Sequence, residues 1–244
     1  MIFVLLLIGI VSNVLGTLAG GGGLITLPTM LLLGIPAHSA IGANKVANMI
    51  STSTNIVTML RKKELSGKEI RPIVVICAIG GVLGGYTASY LTTKTLTLIA
   101  IILLLFAFLL SLFGKASFGN SLQLQLKKRT KALLMSVGFY DGIFGPGSGT
   151  LLIYLFAAEK LAYMKAVMLG RVGIFATCTG AAIVYISKGH IMWYETLFLI
   201  IGSIIGAQIG LYVARKVSIK VATILLRCIT LILIAQLVIE FVSL

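Results

Sequence analysis

Long uncharged stretches separated by short clusters of lysine and arginine are the feature that most limits what this chain can fold into. Only 11% of the residues are charged and the mean hydropathy is +1.11, whereas a soluble domain carries roughly 25% charged residues. This shortage excludes most soluble enzymes and disordered chains. A net charge of +14 would suggest nucleic-acid binding in a soluble protein, but basic clusters between apolar stretches follow the positive-inside rule. We therefore expect a multi-pass protein of the lipid bilayer that binds no nucleic acid.

The apolar stretches predict an all-α polytopic membrane protein. A spanning helix needs about 20 apolar residues, and eight stretches approach that length. They lie at about 1–19, 37–60, 71–92, 95–114, 131–158, 162–187, 191–214 and 218–241. One long polar stretch divides them, which predicts a first transmembrane repeat at 1–114, a polar cytoplasmic linker at 115–130 and a second transmembrane repeat at 131–244.

The first and fifth stretches are interrupted by glycine. Met1–Ala19 runs into four glycines and then continues apolar only to Leu33, while the fifth runs into the sequence Gly-Pro-Gly-Ser-Gly at 145–149 and continues only to Ala158. Ten helical residues cover about 15 Å, too little to cross a bilayer. Each stretch is therefore predicted to be a helix broken at membrane depth and followed by a half-helix. A secretory signal at 1–19 is disfavoured because it lacks a basic start and has a counterpart in mid-chain.

These two interrupted stretches belong to an internal repeat. A shift of 126 residues aligns several matching positions in order: Gly16 with Gly142, Gly21 with Gly147, Gly23 with Gly149, Ala40 with Ala166, Lys45 with Arg171, and Ser51 with Thr177. Gly80, Gly84 and Ala88 recur as Gly202, Gly206 and Gly210, and their spacing of four predicts tight helix packing within each bundle. The chain is thus interpreted as two four-helix repeats, an arrangement common among transporters.

The surface cations predict the orientation. Counting alternate crossings puts the larger group on one side, which the positive-inside rule makes cytoplasmic, and this predicts that both termini are cytoplasmic. That group is Arg61, Lys62, Lys63, Lys68, Arg71, Lys115, Lys127, Lys128, Arg129, Lys131 and Lys188. The opposite side would hold Lys94, Lys160, Lys165, Arg215, Lys216 and Lys220.

The three remaining cations, Lys45, Arg171 and Arg227, lie inside predicted spans and away from their ends. Lys45 and Arg171 occupy matching places in the two repeats, near the middle of their spans. A cation at that depth costs at least about 2.5–3.5 kcal/mol and usually faces protein or a polar pathway. Arg227 has no counterpart and is interpreted as structural. Asp141 is the one acid deep in a predicted span, and it either pairs with Arg171 or carries a proton for coupling.

The glycine runs predict an anion site made of backbone. Where a helix restarts, its first N–H groups lack carbonyl partners and its dipole presents partial positive charge, while glycine lets a ligand approach the backbone. Hydroxyl and amide side chains nearby add donors. The predicted substrate-binding residues are Gly20, Gly21, Gly22, Gly23, Asn44, Lys45, Asn48, Pro146, Gly147, Ser148, Gly149, Thr150 and Arg171. Glycines acting only as hinges or packing points are the alternative interpretation.

Other chemistries find little support in the sequence. The cysteines at 77, 178 and 228 and the histidines at 38 and 190 are scattered singly, which predicts no metal site and favours cysteines that pack as small apolar residues. Neither glycine run is followed by Lys-Ser/Thr or preceded by the strand of a nucleotide-binding loop. We expect no cofactor and no enzymatic activity.

The glycine-rich head of the chain resembles the sulfite exporter TauE/SafE family, which is similar to 4-toluene sulfonate uptake permeases. The resemblance rests on the segment from Gly16 to Pro28, on the Leu-Leu-Leu-Gly that ends at Gly34 and on Ala-Ile-Gly-Ala-Asn-Lys at 40–45, with a second-half counterpart at 142–149 and 202–210. It implies a cytoplasmic-membrane carrier of two duplicated halves that moves sulfite, sulfoacetate, sulfonates or other small organic anions. The second half departs from the plainer glycine run that is usual there.

The sequence therefore predicts a secondary transporter of a small anion. The alternatives are an anion channel, which would need a continuous wetted path, and a non-transporting membrane receptor or assembly factor, in which the intramembrane cations would have no task. The anion, the direction of transport, the coupling ion, a homo-oligomeric state and the relative direction of the two repeats are left open.

Overall fold

A computed structural model describes residues 2–20, 22–92, 118–124 and 126–216, with isolated positions between 94 and 109 and between 224 and 239. The described part is helical and contains no strand. Three of its helices are long and apolar enough to cross a membrane, those at Gly67–Ala88, Tyr163–Ser187 and Trp193–Ala214. The predicted spans at 95–114 and 218–241 lie almost wholly outside the described residues.

Within the described ranges, eight helices follow one another in two similar series. The first series is α1 (Ile2–Ala19), α2 (Gly23–Leu32), α3 (Ala37–Arg61) and α4 (Gly67–Ala88). The second series is α5 (Lys128–Ile143), α6 (Ser148–Ala158), α7 (Tyr163–Ser187) and α8 (Trp193–Ala214). Helix α5 begins at Lys128, inside the segment that the sequence analysis treated as linker. Both interruptions lie where the glycine runs predict them.

Each interruption turns the chain back on itself. Thr130 at the start of α5 donates a hydrogen bond to Glu159 just after α6, with 2.6 Å between Oγ1 and Oε1, so α5 and α6 form a hairpin. In the first series a Cβ on Gly22 would lie 2.8 Å from the carbonyl oxygen of Ser12, so the start of α2 folds back along α1. Each half-helix, α2 or α6, thus runs back toward the face of the bundle at which the preceding helix, α1 or α5, begins.

These hairpins contradict the predicted division of the surface cations. Lys165 Nζ lies 3.0 Å from Glu69 Oε1, and Arg215 Nη2 lies 2.8 Å from Glu64 Oε1. The start of α7 and the end of α8 are therefore on the same face as the α3–α4 loop, whereas the sequence analysis put Lys165 and Arg215 on the opposite side. The prediction was wrong because it counted 131–158 as one crossing, and a hairpin does not cross.

Helices α3 and α7 run antiparallel through the centre of the bundle. The start of α3 meets the end of α7, where the rings of His38 and His190 stack with centroids 4.9 Å apart. At the other end, Lys165 of α7 donates to the carbonyl oxygen of Glu64, just after α3, at 3.4 Å. Both helices bury polar side chains against their neighbours, as expected of polar groups at membrane depth.

Close contacts at small residues hold the outer helices together in two pairs, α4 with α5 and α8 with α1. The backbone of α4 approaches that of α5 at Gly80 and Gly84, and α8 approaches α1 at Gly202 and Gly206, where any Cβ would collide with main-chain atoms. Without a hydrophobic drive between helices in lipid, such close backbone packing is a main source of association. The interpretation of these glycines as close-packing positions is confirmed, but the prediction that they pack within each bundle was wrong. Each pair joins a helix of the first series to a helix of the second.

Candidate functional site

The two glycine-rich breaks lie against each other inside the bundle. Gly20 has a left-handed backbone (φ +81°), and a Cβ there would overlap the backbone of Gly149 and Thr150. A Cβ on Gly23 would lie 3.5 Å from Pro146 Cα. Only glycine satisfies both the backbone angle and the close approach at position 20. The fold therefore brings the starts of α2 and α6 together, as the sequence analysis expected.

Both half-helices begin with an N-cap that has no side chain. The N-caps are Gly22 for α2 and Gly147 for α6, and Gly147 is left-handed with φ +79°. A serine or aspartate at such a position would accept hydrogen bonds from the first backbone N–H groups of the helix. Glycine leaves that role to other groups, and the positive ends of two helix dipoles converge on one place.

A small cavity lies at this convergence. Its volume is about 20 Å³, room for one or two water molecules. It is lined by Gly16, Gly20, Gly22, Gly23, Asn44, Asn48, Asp141, Gly145, Ser148, Arg171, Ile174 and Cys178. The lining comes from both series of helices, so the site depends on their association.

Lys45 of α3 is held by an ion pair that joins the two series. Its Nζ lies 3.1 Å from Asp141 Oδ1 and also donates to the main-chain oxygen of Asp141. Both side chains are buried, with 1% and 4% of their surface exposed. A buried charge is tolerated when it is paired and hydrogen-bonded. The charge of Lys45 is therefore already compensated within the protein.

The Asp141 carboxylate has further donors. Ser148 Oγ donates to Oδ1 at 2.6 Å, Thr177 Oγ1 donates to Oδ2, and Cys178 Sγ lies 3.7 Å from Oδ2. These contacts satisfy both carboxylate oxygens. The sequence analysis considered a pair between Asp141 and Arg171. The structure pairs Asp141 with Lys45 instead, because the α5–α6 hairpin places it against α3.

Arg171 of α7 has only neutral partners among the described residues. Its Nη2 lies 3.4 Å from Asn13 Oδ1. The Asn55 side-chain amide finds partners for both its nitrogen and its oxygen when the two are exchanged by an amide flip, and its oxygen then lies 3.3 Å from Arg171 Nε. Arg171 is 5% exposed and lines the cavity. No carboxylate in the described part of the chain forms an ion pair with it. The cavity thus presents a buried guanidinium whose charge no carboxylate among the described residues compensates.

The predicted site residues separate into two groups. Those that line the cavity are Gly20, Gly22, Gly23, Asn44, Asn48, Asp141, Ser148 and Arg171. Those that lie beside it without lining it are Lys45, Pro146, Gly147, Gly149 and Thr150, and Gly21 lies outside the described residues. Within the lining group, Asn48 Nδ2 donates to Asn44 Oδ1 at 2.9 Å, which fixes these two amides relative to each other.

Several polar groups at the site were not predicted from the sequence, among them Asn13 and Cys178. Asn13 is buried on α1 and contacts Arg171, and its signal was an amide within an otherwise apolar helix. Cys178 is buried on α7 beside Asp141. The expectation that the cysteines pack inside helices is confirmed for Cys77 and Cys178, while Cys228 lies outside the described residues. The described residues contain no cluster of three metal-binding side chains, although His38 and His190 stack.

Comparison with known proteins identifies the family. The sequence profile named "Sulfite exporter TauE/SafE" matches residues 5–237. The chain belongs to this family. Its relatives include the "Probable membrane transporter protein ORF9" of Sinorhizobium sp, which is 30% identical over 82% of this chain and 78% of the relative. A "Probable membrane transporter protein" of Haemophilus influenzae is 29% identical over 85% and 82% of the two chains.

A third relative, the "Probable membrane transporter protein YfcA" of Escherichia coli K12, is 24% identical over 85% of this chain and 78% of its own. No solved structure matches the chain significantly. The TauE/SafE family is thus one of membrane transporters rather than of enzymes, and the apolar helices agree with a membrane protein.

Proposed function

We propose that the protein is a secondary transporter that moves a small sulfur-containing or organic anion, of the sulfite, sulfoacetate or sulfonate class, across the cytoplasmic membrane. The observation that carries this proposal is the uncompensated Arg171 guanidinium in the cavity between the two breaks. A buried cation costs free energy until an opposite charge reaches it. A planar guanidinium binds two oxygens of a sulfonate, sulfite or carboxylate group in parallel, which suits it to this class of ligand.

The remaining site residues complete the proposed contacts with the anion. The starts of α2 and α6, at Gly20–Gly23 and Pro146–Thr150, would supply backbone N–H groups and the positive ends of their dipoles. Asn44 and Asn48 and the Ser148 hydroxyl border the same cavity and would supply neutral donors. Lys45 contributes indirectly, since its pair with Asp141 holds α3 against the α5–α6 hairpin.

An arrangement of two inverted repeats would give the transporter its mechanism. Corresponding helices α3 and α7 are antiparallel, and the cavity lies where the two series meet. Rocking of one repeat against the other around a fixed site is the usual alternating-access motion of such carriers. A cavity of about 20 Å³ favours a carrier over an anion channel, which would need a wide continuous path. Single-channel currents in planar bilayers would favour the channel.

Asp141 is the candidate for proton coupling. It lines the cavity and bridges both series through Lys45 and Thr177, so its protonation would loosen contacts between them. Intramembrane carboxylates commonly serve as proton carriers. Full pH-dependent transport by Asp141→Asn would contradict this role.

The orientation that we propose differs from that expected from sequence. The face with the α3–α4 loop also holds the starts of α5 and α7 and the end of α8, and it is rich in lysine and arginine. The positive-inside rule makes this face cytoplasmic, and α1 then begins on the opposite side. Cysteine labelling checks it: Lys68→Cys should react only from the cytoplasm and Lys188→Cys only from outside. The reverse pattern would overturn the orientation.

The central test is substrate flux in proteoliposomes. Sulfite, sulfoacetate, thiosulfate and small carboxylates are assayed with the wild type and with Arg171→Met. We expect the variant to lose at least about 100-fold in transport, because a charge-assisted bidentate contact is removed from a buried site. Arg215→Met is the matched control, since Arg215 pairs with Glu64 at the bundle surface. Equal loss in both variants, or transport retained by Arg171→Met, would contradict the proposed site.

A further inference from the structure

Two side chains on α1 and α5 make the same pair of contacts in opposite halves of the molecule. Asn13 Oδ1 accepts a hydrogen bond from Ser51 on α3 at 3.2 Å and lies 3.4 Å from Arg171 Nη2 on α7. Asp141 accepts a hydrogen bond from Thr177 on α7 and pairs with Lys45 on α3. Each side chain thus joins a hydroxyl on one central helix to the cation on the other.

The partners of these contacts are the repeat-related residues. Lys45 corresponds to Arg171 and Ser51 to Thr177 under the 126-residue shift. The two contacts of Asn13, with Ser51 and Arg171, therefore correspond to the two contacts of Asp141, with Thr177 and Lys45. The same shift places Leu15, not Asn13, at the position of Asp141. The correspondence exists in space and is two residues out of register along the chain.

The two positions differ in one respect, which is charge. A carboxylate at position 141 compensates Lys45, whereas an amide at position 13 offers Arg171 a hydrogen-bond acceptor without a negative charge. Both side chains are buried, with 3% of the residue surface exposed in each case. In a buried site the presence or absence of one charge about 4 Å away is worth several kcal/mol, even at an effective dielectric constant of about 20.

We infer that Asn13 is a specificity-determining residue of the anion site: by being an amide where its counterpart is a carboxylate, it leaves Arg171 as the cation that the transported anion meets. This inference rests on the proposed function. It also assigns distinct tasks to the repeat-related cations. Arg171 binds the ligand, whereas Lys45 forms a structural ion pair. The charge of the side chains at positions 13 and 141 determines this division of roles.

The test exchanges the two acceptors with nearly isosteric substitutions. The full-length protein in proteoliposomes is assayed by exchange of radiolabelled sulfite, a readout that needs no proton coupling, and by the shift in melting temperature that sulfite produces. Asn13→Asp should weaken sulfite binding and exchange by about 30-fold or more, since it neutralises Arg171 in place. Asn55→Asp, on the other side of the guanidinium, should act in the same direction.

The double variant Asn13→Asp/Asp141→Asn separates charge from structure. It restores the net charge of the site and moves the available cation from Arg171 to Lys45. We expect it to recover exchange to within about tenfold of the wild type, because the electrostatic balance is re-established. A merely structural role of Asn13 predicts no such recovery, since two damaging substitutions would then add.

The outcomes distinguish this inference from the proposed function. Loss of exchange in Arg171→Met together with normal exchange in a folded Asn13→Asp protein would overturn the role of Asn13 alone. A folded double variant that exchanges no better than Asn13→Asp would do the same. Retained exchange in Arg171→Met would overturn the proposed site itself. Should Asp141→Asn prevent folding, Asn13→Asp and Asn55→Asp still decide the question, because both create an ion pair with Arg171 and leave Lys45 paired.

Discussion

The Lys45 and Arg171 sites are the most instructive comparison within this molecule. Both hold a buried cation at the same place on corresponding central helices, and both receive a hydroxyl and an oxygen acceptor from the same kinds of neighbour. One acceptor is the Asp141 carboxylate and the other is the Asn13 amide. Lys45 is thereby paired within the protein, while Arg171 forms no ion pair with a described residue and is, in our proposal, the cation that the transported anion meets.

This difference shows that corresponding positions of the two helix series can have different electrostatic surroundings. A buried ion pair contributes little net stability, yet removal of one partner is costly because the other charge is left unpaired. Arg171 has no carboxylate partner in the described residues to leave behind. Truncation of the cation should therefore affect a different property at each site. At Lys45 it should lower the stability of the protein, and at Arg171 it should weaken binding of the anion.

The largest expected effect is on the stability of Lys45→Met. This substitution leaves the Asp141 carboxylate buried without its cation, and we expect the free energy of unfolding to fall by about 3–5 kcal/mol. Arg171→Met should leave the stability unchanged or raise it, since it removes an uncompensated buried charge. Denaturant unfolding in detergent micelles measures both.

A double variant tests the reason for that loss. Lys45→Met/Asp141→Asn removes both charges and keeps an acceptor for Ser148 and Thr177. It should recover most of the stability lost by Lys45→Met, because no unpaired charge is left behind. Equal destabilisation by Lys45→Met and Arg171→Met would instead show that the two sites do not differ in the way described.

A smaller effect is expected at Gly145, which lies beneath the Lys45–Asp141 pair. Gly145 has φ +99°, and a Cβ there would meet Lys45 Nζ and Asp141 Oδ1. Gly34 has a similar φ of +78° with no atom within 4 Å of an added Cβ. We expect Gly34→Ala to cost about 1–2 kcal/mol for the left-handed backbone alone. Gly145→Ala should cost about 1 kcal/mol more than Gly34→Ala, because it also displaces the ion pair but removes neither charge.

The difference between these two alanine variants isolates the packing of the pair from the backbone penalty. Thermal unfolding of both proteins in the same detergent gives that difference. If Gly145→Ala lowers the stability no more than Gly34→Ala, the ion pair does not need the space that glycine provides. That result would contradict the tight packing that we describe around Lys45.

Much of the helical layout was predictable because membrane helices depend on local composition. The breaks before Gly23 and Ser148 follow from glycine runs within apolar stretches, and the burial of Lys45 and Arg171 follows from the cost of a charge in hydrocarbon. The division of surface cations was not predictable in the same way. It depends on whether an interrupted stretch crosses the bilayer or returns, and the Thr130–Glu159 contact of the α5–α6 hairpin is a tertiary observation.

By itself the sequence determined the long apolar stretches, their glycine-rich interruptions and the positions of Lys45 and Arg171 inside predicted spans, because apolar length, glycine spacing and charge placement are properties of local segments. Only the tertiary structure decided that Lys45 pairs with Asp141 and that Arg171 forms no ion pair with a described residue. Asp141 and Asn13 are out of register in the repeat, and they become counterparts only when the antiparallel crossing of α3 and α7 brings each against one hydroxyl and one charge. Ion pairing depends on distances of a few ångströms between helices far apart in sequence, and such distances are set by packing.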